Sequence, residues 1–441
     1  MWRRPHLPGR APTAAAIGLP SDGVTVAPSP SPLRVRTRAV DDVGRLLDLL
    51  PDDRPLSWVR DGEGLVGWGE VARFTGTGAS RFAEADAWWS SFTARLDVRD
   101  DLRLPGTGAV AFASFTFADH SPGSVLIVPR VVVGRRDGQT WITEFAGDGV
   151  PAAMRRAMPV RAGGALHYDD GDMTVARYRR AVAQAVARME AGELDKAALA
   201  HDLVAVADEP AVADEPLDPR FLLAGLAHHY PTCWAYCVDG LVGATPELLL
   251  RREGDTVSSR VLAGTIWPGN GGDDIGAELM ASGKDQREHA FAVDSLAATL
   301  RPHCATLDVP AEPSILALHN VSHLSSDVRG TLRDDASLLT LAADVHPTAA
   351  VGGTPRADAL RVITELERMD RGRYAGPVGW VDAAGDGELG VALRCAQLDG
   401  NTARLFAGCG IVADSDPDTE VREAAAKLVA VREALEGSVT G

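Results

Sequence analysis

The sequence predicts an α+β protein with long antiparallel sheets and outer helices. Three observations predict it. Strand-like and helix-like runs are mixed without the regular alternation of a doubly wound parallel sheet. Strands are joined by tight polar turns that favour antiparallel hairpins. Asp61-Gly62-Glu63-Gly64 divides LSWVRDGEGLVGWGEVARF, and Asp399-Gly400-Asn401 separates Leu389–Leu398 from Thr402–Phe406. Finally, a chain of 441 residues that is 45% hydrophobic can bury a large core.

Taken in order, residues 1–35 are rich in Pro, Ala, Ser and Arg and read as a poorly ordered tail rather than a signal peptide, because the apolar run is short and broken. Residues 36–165 read as an N-terminal scaffold. SVLIVPRVVVG and TWITEFAG are strands, and Arg81–Leu96 places Phe82, Ala85, Trp89 and Phe92 near helical spacing. From about residue 170 to 437 the pattern changes. Thr174–Glu190 is an amphipathic helix stopped by Gly192. Strands are expected at Lys196–Val206, Cys233–Val242, Leu248–Arg252, Thr256–Thr265 and Tyr374–Asp382, and helices around Glu288-His289 and over Ala357–Arg368. The glycines at 269, 271 and 272 form a loop, not a dinucleotide fingerprint.

A net charge of −17 gives no reason to bind a phosphate backbone, so nucleic acid is not an expected partner. Nor is a membrane, since no stretch approaches the ~20 apolar residues needed to span one. Five cysteines without a CxxC pair fit reduced thiols in a cytoplasm. The basic residues are more informative. Of 44, three are lysine (Lys196, Lys284, Lys427) and the rest arginine. Arginine cannot be deprotonated and lysine can, so the surviving lysines mark positions where an ammonium is needed.

The stretch Arg404–Lys427, RLFAGCGIVADSDPDTEVREAAAK, concentrates chemistry. A strand at Arg404–Phe406 leads to a glycine-spaced turn, Gly408-Cys409-Gly410. Ser415 or Asp416 can cap a helix opening at Pro417. Glu420, Glu423 and Lys427 then share one helix face. Two carboxylates and an ammonium beside bare backbone N–H groups can hold a hard cation and an anion together. A solvated helix face with a Glu–Lys pair is the other reading of the same stripe.

Ten segments resemble the chorismate-utilising enzymes, in that family's order across residues 170–435: LDKAALAHD, GATPELLL, LAGT, KDQREH, VSHLSSDVRG, HPTAAVGG, RGRYAGPVGW, VALRCA, AGCGIV and SDPDTEVREAAAK. All three lysines fall inside them. The resemblance implies a body of two lobes with the active site between them. It also implies chorismate as substrate, with water added at C2 as the C4 hydroxyl leaves. Hydroxide leaves poorly and needs a proton donor, which the resemblance assigns to Glu247. It assigns Mg2+ to Glu288 and Glu423, with Glu420 reached mostly through water. It assigns substrate contacts to Thr265, His346, Ala350, Tyr374, Arg394, Lys427 and the backbone N–H groups of Gly408 and Gly410.

Two positions choose among the family's branches. Ammonia-using members carry glutamine where this chain has Lys196, whereas water-adding members carry lysine, a base in its neutral form. No glutamine amidotransferase subunit is therefore expected, and a monomer is. Ammonia users and salicylate synthases carry threonine where this chain has Ala350. The resemblance thus implies isochorismate as product, for menaquinone or siderophore synthesis. Salicylate synthase and a silent chorismate-binding protein are the alternatives. The chain departs from the family pattern at His201, Ala349, Cys409 and the loop after Thr265, and none of these is an acid, a base or a metal ligand.

Overall fold

In the computed structural model, residues 33–146, 159–208, 216–266, 275–318 and 321–437 are described. The tail expected over residues 1–35 lies outside them up to residue 32, and so does the loop containing Gly269, Gly271 and Gly272. From Leu33 onward the chain clusters as one body.

Two long runs of paired strands share one member, Ser124–Arg136. The second half of that strand pairs with Gln139–Ala146, and Glu63–Gly76 lies along its other edge. From there one run passes through Leu56–Arg60, Trp234–Val238, Leu241–Thr245, Cys395–Asp399 and Thr402–Ile411 to Lys196–Ala207. The first half of the shared strand opens the other run. This passes through Val110–Ser114, Pro377–Asp382, Gly387–Val391, Leu248–Glu253 and Thr256–Ile266 to Ser322–Leu332. All these pairings are antiparallel; Arg34–Val40 with Asp97–Asp100 is parallel. The N-terminal strands are woven directly into the later ones, Leu56–Arg60 pairing with Trp234–Val238 and Val110–Ser114 with Pro377–Asp382. The two runs are tied together by Glu388, which accepts from the indoles of Trp58 (2.8 Å) and Trp234 (3.0 Å). Those indoles stack on each other, so their apolar bodies are buried while each N–H is satisfied.

Local chemistry explains most elements. Asp61-Gly62 and Asp239-Gly240 both have positive φ at their two central positions, the primed turn that suits strand twist. The second of these corrects the single strand expected over Cys233–Val242: it is a hairpin of Trp234–Val238 and Leu241–Thr245. Thr174 caps the helix Val175–Glu190 by accepting from Arg177 N–H, and the buried stripe is Tyr178, Ala181, Val182, Ala185 and Met189. Asp416, not Ser415, caps Pro417–Glu436.

Near this last helix one expectation is corrected and one of two alternative readings falls away. No turn occurs at Gly408-Cys409-Gly410, because the strand runs unbroken from Thr402 to Ile411. Glycine is needed there for close approach instead. A Cβ on Gly408 would stand 2.4 Å from Leu199 O, and one on Gly410 would stand 1.9 Å from a Glu288 carboxylate oxygen. The polar stripe of Glu420, Glu423 and Lys427 is also not a solvated face. All three residues are buried.

Candidate active site

The pocket lies where Lys196–Ala207 and Thr402–Ile411 meet the Thr256–Ile266 strand and the helix Gly283–Leu300. It spans about 630 Å³ of space that is partly open to solvent. Its floor is backbone. Ala198 N–H goes to Gly352 O and Ala200 N–H to the Glu367 carboxylate, both away from the neighbouring strand. Their antiparallel partners Gly410 and Gly408 therefore also turn their polar groups outward. The Gly408 carbonyl shows this directly by accepting from Lys427 Nζ at 3.1 Å. Arg371 fixes this floor through a two-pronged pair with Glu367, and it also donates to Ala198 O and Val351 O.

On the opposite wall, a bulge between Ala263 and Thr265 centres on Gly264, which has φ +75. A Cβ at Gly264 would stand 2.9 Å from Asp285 Cβ, so glycine lets the Glu288 helix come close. Ser282 caps that helix by accepting from Asp285 N–H.

Three carboxylates gather beside the pocket, and each has a lysine. Lys196, 0% exposed, holds Glu288 Oε1 at 3.2 Å. Lys284 holds Glu420 Oε1 at 2.6 Å, and Lys427 holds Glu423 Oε1 at 2.6 Å. Buried charges must be paired, and these are. Burial and the charge of Glu423 push the Glu420 carboxyl up despite Lys284. For Glu423 burial acts upward too, but Lys427 and Lys284 outweigh it and hold the carboxyl below its usual range. Glu420 Oε2 is buried with no hydrogen-bond partner among the described residues. Crowded carboxylate oxygens, one of them orphaned, fit a hard divalent cation.

Glu247 sits at the turn between Leu241–Thr245 and Leu248–Glu253, with its N–H on Thr245 Oγ1 at 3.2 Å. Burial pushes its carboxyl up to about 8, against the pull of Lys196, the Leu262 N–H, Arg394 and Lys427. It is therefore a neutral acid near pH 7, inside the pocket. Arg394 enters from a residue in left-handed conformation, φ +47, at the break between two strands. Its guanidinium meets His323 Nε2 at 3.1 Å, and its Nε has no acceptor among the described residues. Arginine only donates, so His323 Nε2 is the acceptor and its proton lies on Nδ1. The Thr265 hydroxyl (3.1 Å) and the Gly264 carbonyl (3.3 Å) are there to receive it. Burial, then the charges of Arg394 and Lys427, hold His323 neutral.

The pocket wall brings together Glu247, Thr265, Glu288, Ala350, Tyr374, Arg394, Gly408, Gly410 and Lys427. Tyr374 stacks on Phe406 with centroids 5.0 Å apart. Lys196, Glu420 and Glu423 stand immediately behind that wall. His346 does not reach it. Its ring lies near Phe82 and Phe117, and its Nε2 bonds the Phe117 carbonyl at 3.0 Å. Burial lowers its basicity to about 3, so it is a neutral core residue. Among the described residues the histidine lining the pocket is His323, which lies inside VSHLSSDVRG without a local signal of that position. Sequence reasoning gives Lys284 no role either, though its rarity marks it.

A buried pocket with a neutral carboxylic acid, an arginine with no carboxylate partner among the described residues and three lysine–carboxylate pairs defines an enzyme site for a small anionic substrate. The chain belongs to the chorismate-binding enzymes, whose family profile matches residues 159–436. It is 32% identical over 413 residues to isochorismate synthase MenF of Bacillus subtilis, covering 85% of each chain. To isochorismate synthase DhbC of the same organism it is 41% identical over 268 residues, 57% of this chain and 65% of that protein. The structure of DhbC from Bacillus anthracis superposes with a TM-score of 0.73 at 29% identity, over 89% of this chain and 99% of that one. No helix among the described residues is long and apolar enough to cross a membrane.

Proposed function

We propose that the protein converts chorismate to isochorismate with Mg2+. The observation that carries this reading is Glu247, a carboxyl kept neutral near pH 7 in a pocket otherwise rich in cations. The reaction breaks the C4–O bond, moves the ring double bonds and forms a C2–O bond to water. Glu247 gives its proton to the departing C4 oxygen. Lys196, which stands on Glu288 behind the wall, is the group that takes the proton from the attacking water. Arg394 pairs one substrate carboxylate through the donor its present partners leave free. The outward N–H groups of Gly408 and Gly410 receive the other.

Glu288 and Glu423, with Glu420 beside them, would hold Mg2+, whose charge would neutralise a carboxylate of the bound substrate. Glu288 also partners Lys196, so the base and the metal-holding group are linked. Lysine rather than glutamine at 196 supports water as the nucleophile. The bare methyl of Ala350 supports stopping at isochorismate.

The test is incubation of the purified protein with chorismate, with and without Mg2+, followed by chromatography and a pyruvate assay. Isochorismate without pyruvate is expected, and only with Mg2+. Salicylate with pyruvate would move the protein to the lyase branch, and no turnover would refute the reading.

A further inference from the structure

Arg394 is buried, yet among the described residues its guanidinium makes one side-chain hydrogen bond, from Nη2 to His323 Nε2 at 3.1 Å. Its polar anchor is thus a single imidazole, and that ring is itself fixed. The bulge between Ala263 and Thr265 leaves Gly264 without a partner in the ladder with Ser322–Leu332. The Gly264 carbonyl therefore faces His323 Nδ1 at 3.3 Å, beside the Thr265 hydroxyl at 3.1 Å. A carbonyl can only accept and a guanidinium can only donate. Both ends demand the same tautomer, with the proton on Nδ1 and the Nε2 lone pair aimed at Arg394. Burial, with the charges of Arg394 and Lys427 nearby, keeps the ring from becoming a cation.

A carboxylate in this place could not do the same work. Aspartate or glutamate would fix the guanidinium more firmly, but it would neutralise it and occupy the fork that an incoming carboxylate needs. A neutral imidazole takes one N–H and leaves the charge and the other donors, Nε among them. We propose that His323 is the positioning residue that aims Arg394 at a substrate carboxylate while leaving the guanidinium its full charge. A donor aligned beforehand loses less freedom when the substrate binds. The inference rests on the proposed function, in which Arg394 receives one carboxylate of chorismate, and it names what sets that aim.

The experiment measures kcat and KM for chorismate with Mg2+, and chorismate affinity by calorimetry, in full-length His323→Gln, His323→Glu and His323→Phe, with circular dichroism to follow folding. Glutamine puts a neutral amide oxygen near the place of Nε2, so KM should stay within about threefold of wild type. Phenylalanine keeps the ring and loses the acceptor, so KM should rise about tenfold, by more than kcat falls. Glutamate has the shape of glutamine but captures the guanidinium, so KM should rise about a hundredfold or more. In an Arg394→Ala background, His323→Phe should add nothing to KM, because the histidine acts through the arginine. A role in packing alone would make phenylalanine the mildest change and the glutamine and glutamate variants alike. That order overturns the inference, and so do additive effects in the double variant, which would mean that His323 holds the substrate itself. Where His323→Glu fails to fold, glutamine, phenylalanine and the double variant decide. Turnover to isochorismate with KM indifferent to these changes would sink this inference and leave the proposed function standing. Chorismate affinities in the expected order without conversion to isochorismate would do the reverse, and a wild type that neither binds nor converts chorismate would refute both.

Discussion

Replacing Glu247 with glutamine should inactivate the protein and stabilise it at once. Glutamine matches the carboxyl in shape but carries no proton to give, so turnover should fall by about 10²–10⁴, the usual worth of one general acid. The stability effect follows from burial. In the unfolded chain this carboxyl ionises near 4.5, and in the fold near 8. Below 4.5 both states are protonated and the residue costs nothing. Between the two values the unfolded chain gains by ionising while the fold keeps the group neutral. Wild-type stability therefore drops by about 1.4 kcal/mol per pH unit over that range. Above 8 the cost is level. Glutamine does not titrate, so the variant's advantage should be near zero at pH 4, about 3 kcal/mol at pH 7 and about 5 kcal/mol at pH 9. Melting curves of both proteins across that range measure it, beside rates with chorismate and Mg2+. Wild-type rate should also decline as pH rises through about 8. A melting-temperature difference that stays constant with pH would refute the claim that the carboxyl is neutral and buried. A Glu247→Gln enzyme near wild-type speed would refute its role as the acid.

Three further outcomes are expected. Lys196→Arg should lose about 10²–10⁴ in rate, nearly as much as Lys196→Gln, because guanidinium never becomes neutral; near-normal turnover with arginine would reduce Lys196 to an electrostatic anchor. Glu423→Gln should weaken Mg2+ binding in calorimetry and abolish turnover, and unchanged activity at limiting Mg2+ would remove it from the metal-holding set. Arg394→Lys keeps the charge and loses the fork, so KM for chorismate should rise by about ten- to a hundredfold, the worth of one charge-assisted hydrogen bond. An unchanged KM would mean another group holds that carboxylate.

How far these residues could be read from the sequence depended on whether their signal was local. The helix Val175–Glu190 carries its own cap, stripe and stop, and Asp61-Gly62 carries its own turn. Asp239-Gly240 carries the same signal, but it was absorbed into a longer apolar run. The strand through Gly408 and Gly410 could not be read locally. Its glycines answer to Leu199 and Glu288, which are distant in sequence, and taken alone they look like a turn. His346 and His323 show the same limit. The resemblance gives a substrate contact to a histidine before proline, His346, yet the strand Ser322–Leu332 is what turns a histidine toward Arg394. Only the pairing of that strand with Thr256–Ile266 brings it there.

The lysines are the opposite case, since composition alone pointed to them. A chain that uses arginine for nearly every positive charge keeps three ammoniums, and each stands against one of three buried carboxylates. Arginine would serve poorly in those places. Its planar fork is wide, and each of Glu288, Glu420 and Glu423 is met at one oxygen by a single nitrogen atom. Lys284 is the extreme instance, its one charge attracted to Glu420, Glu423 and Glu288 together. A compact point charge can sit among three acceptors and give way to a dication, whereas a bidentate guanidinium would commit to one carboxylate. Each lysine is set against its own carboxylate. A dication entering with a dicarboxylate substrate would add no net charge and strand none of these buried pairs.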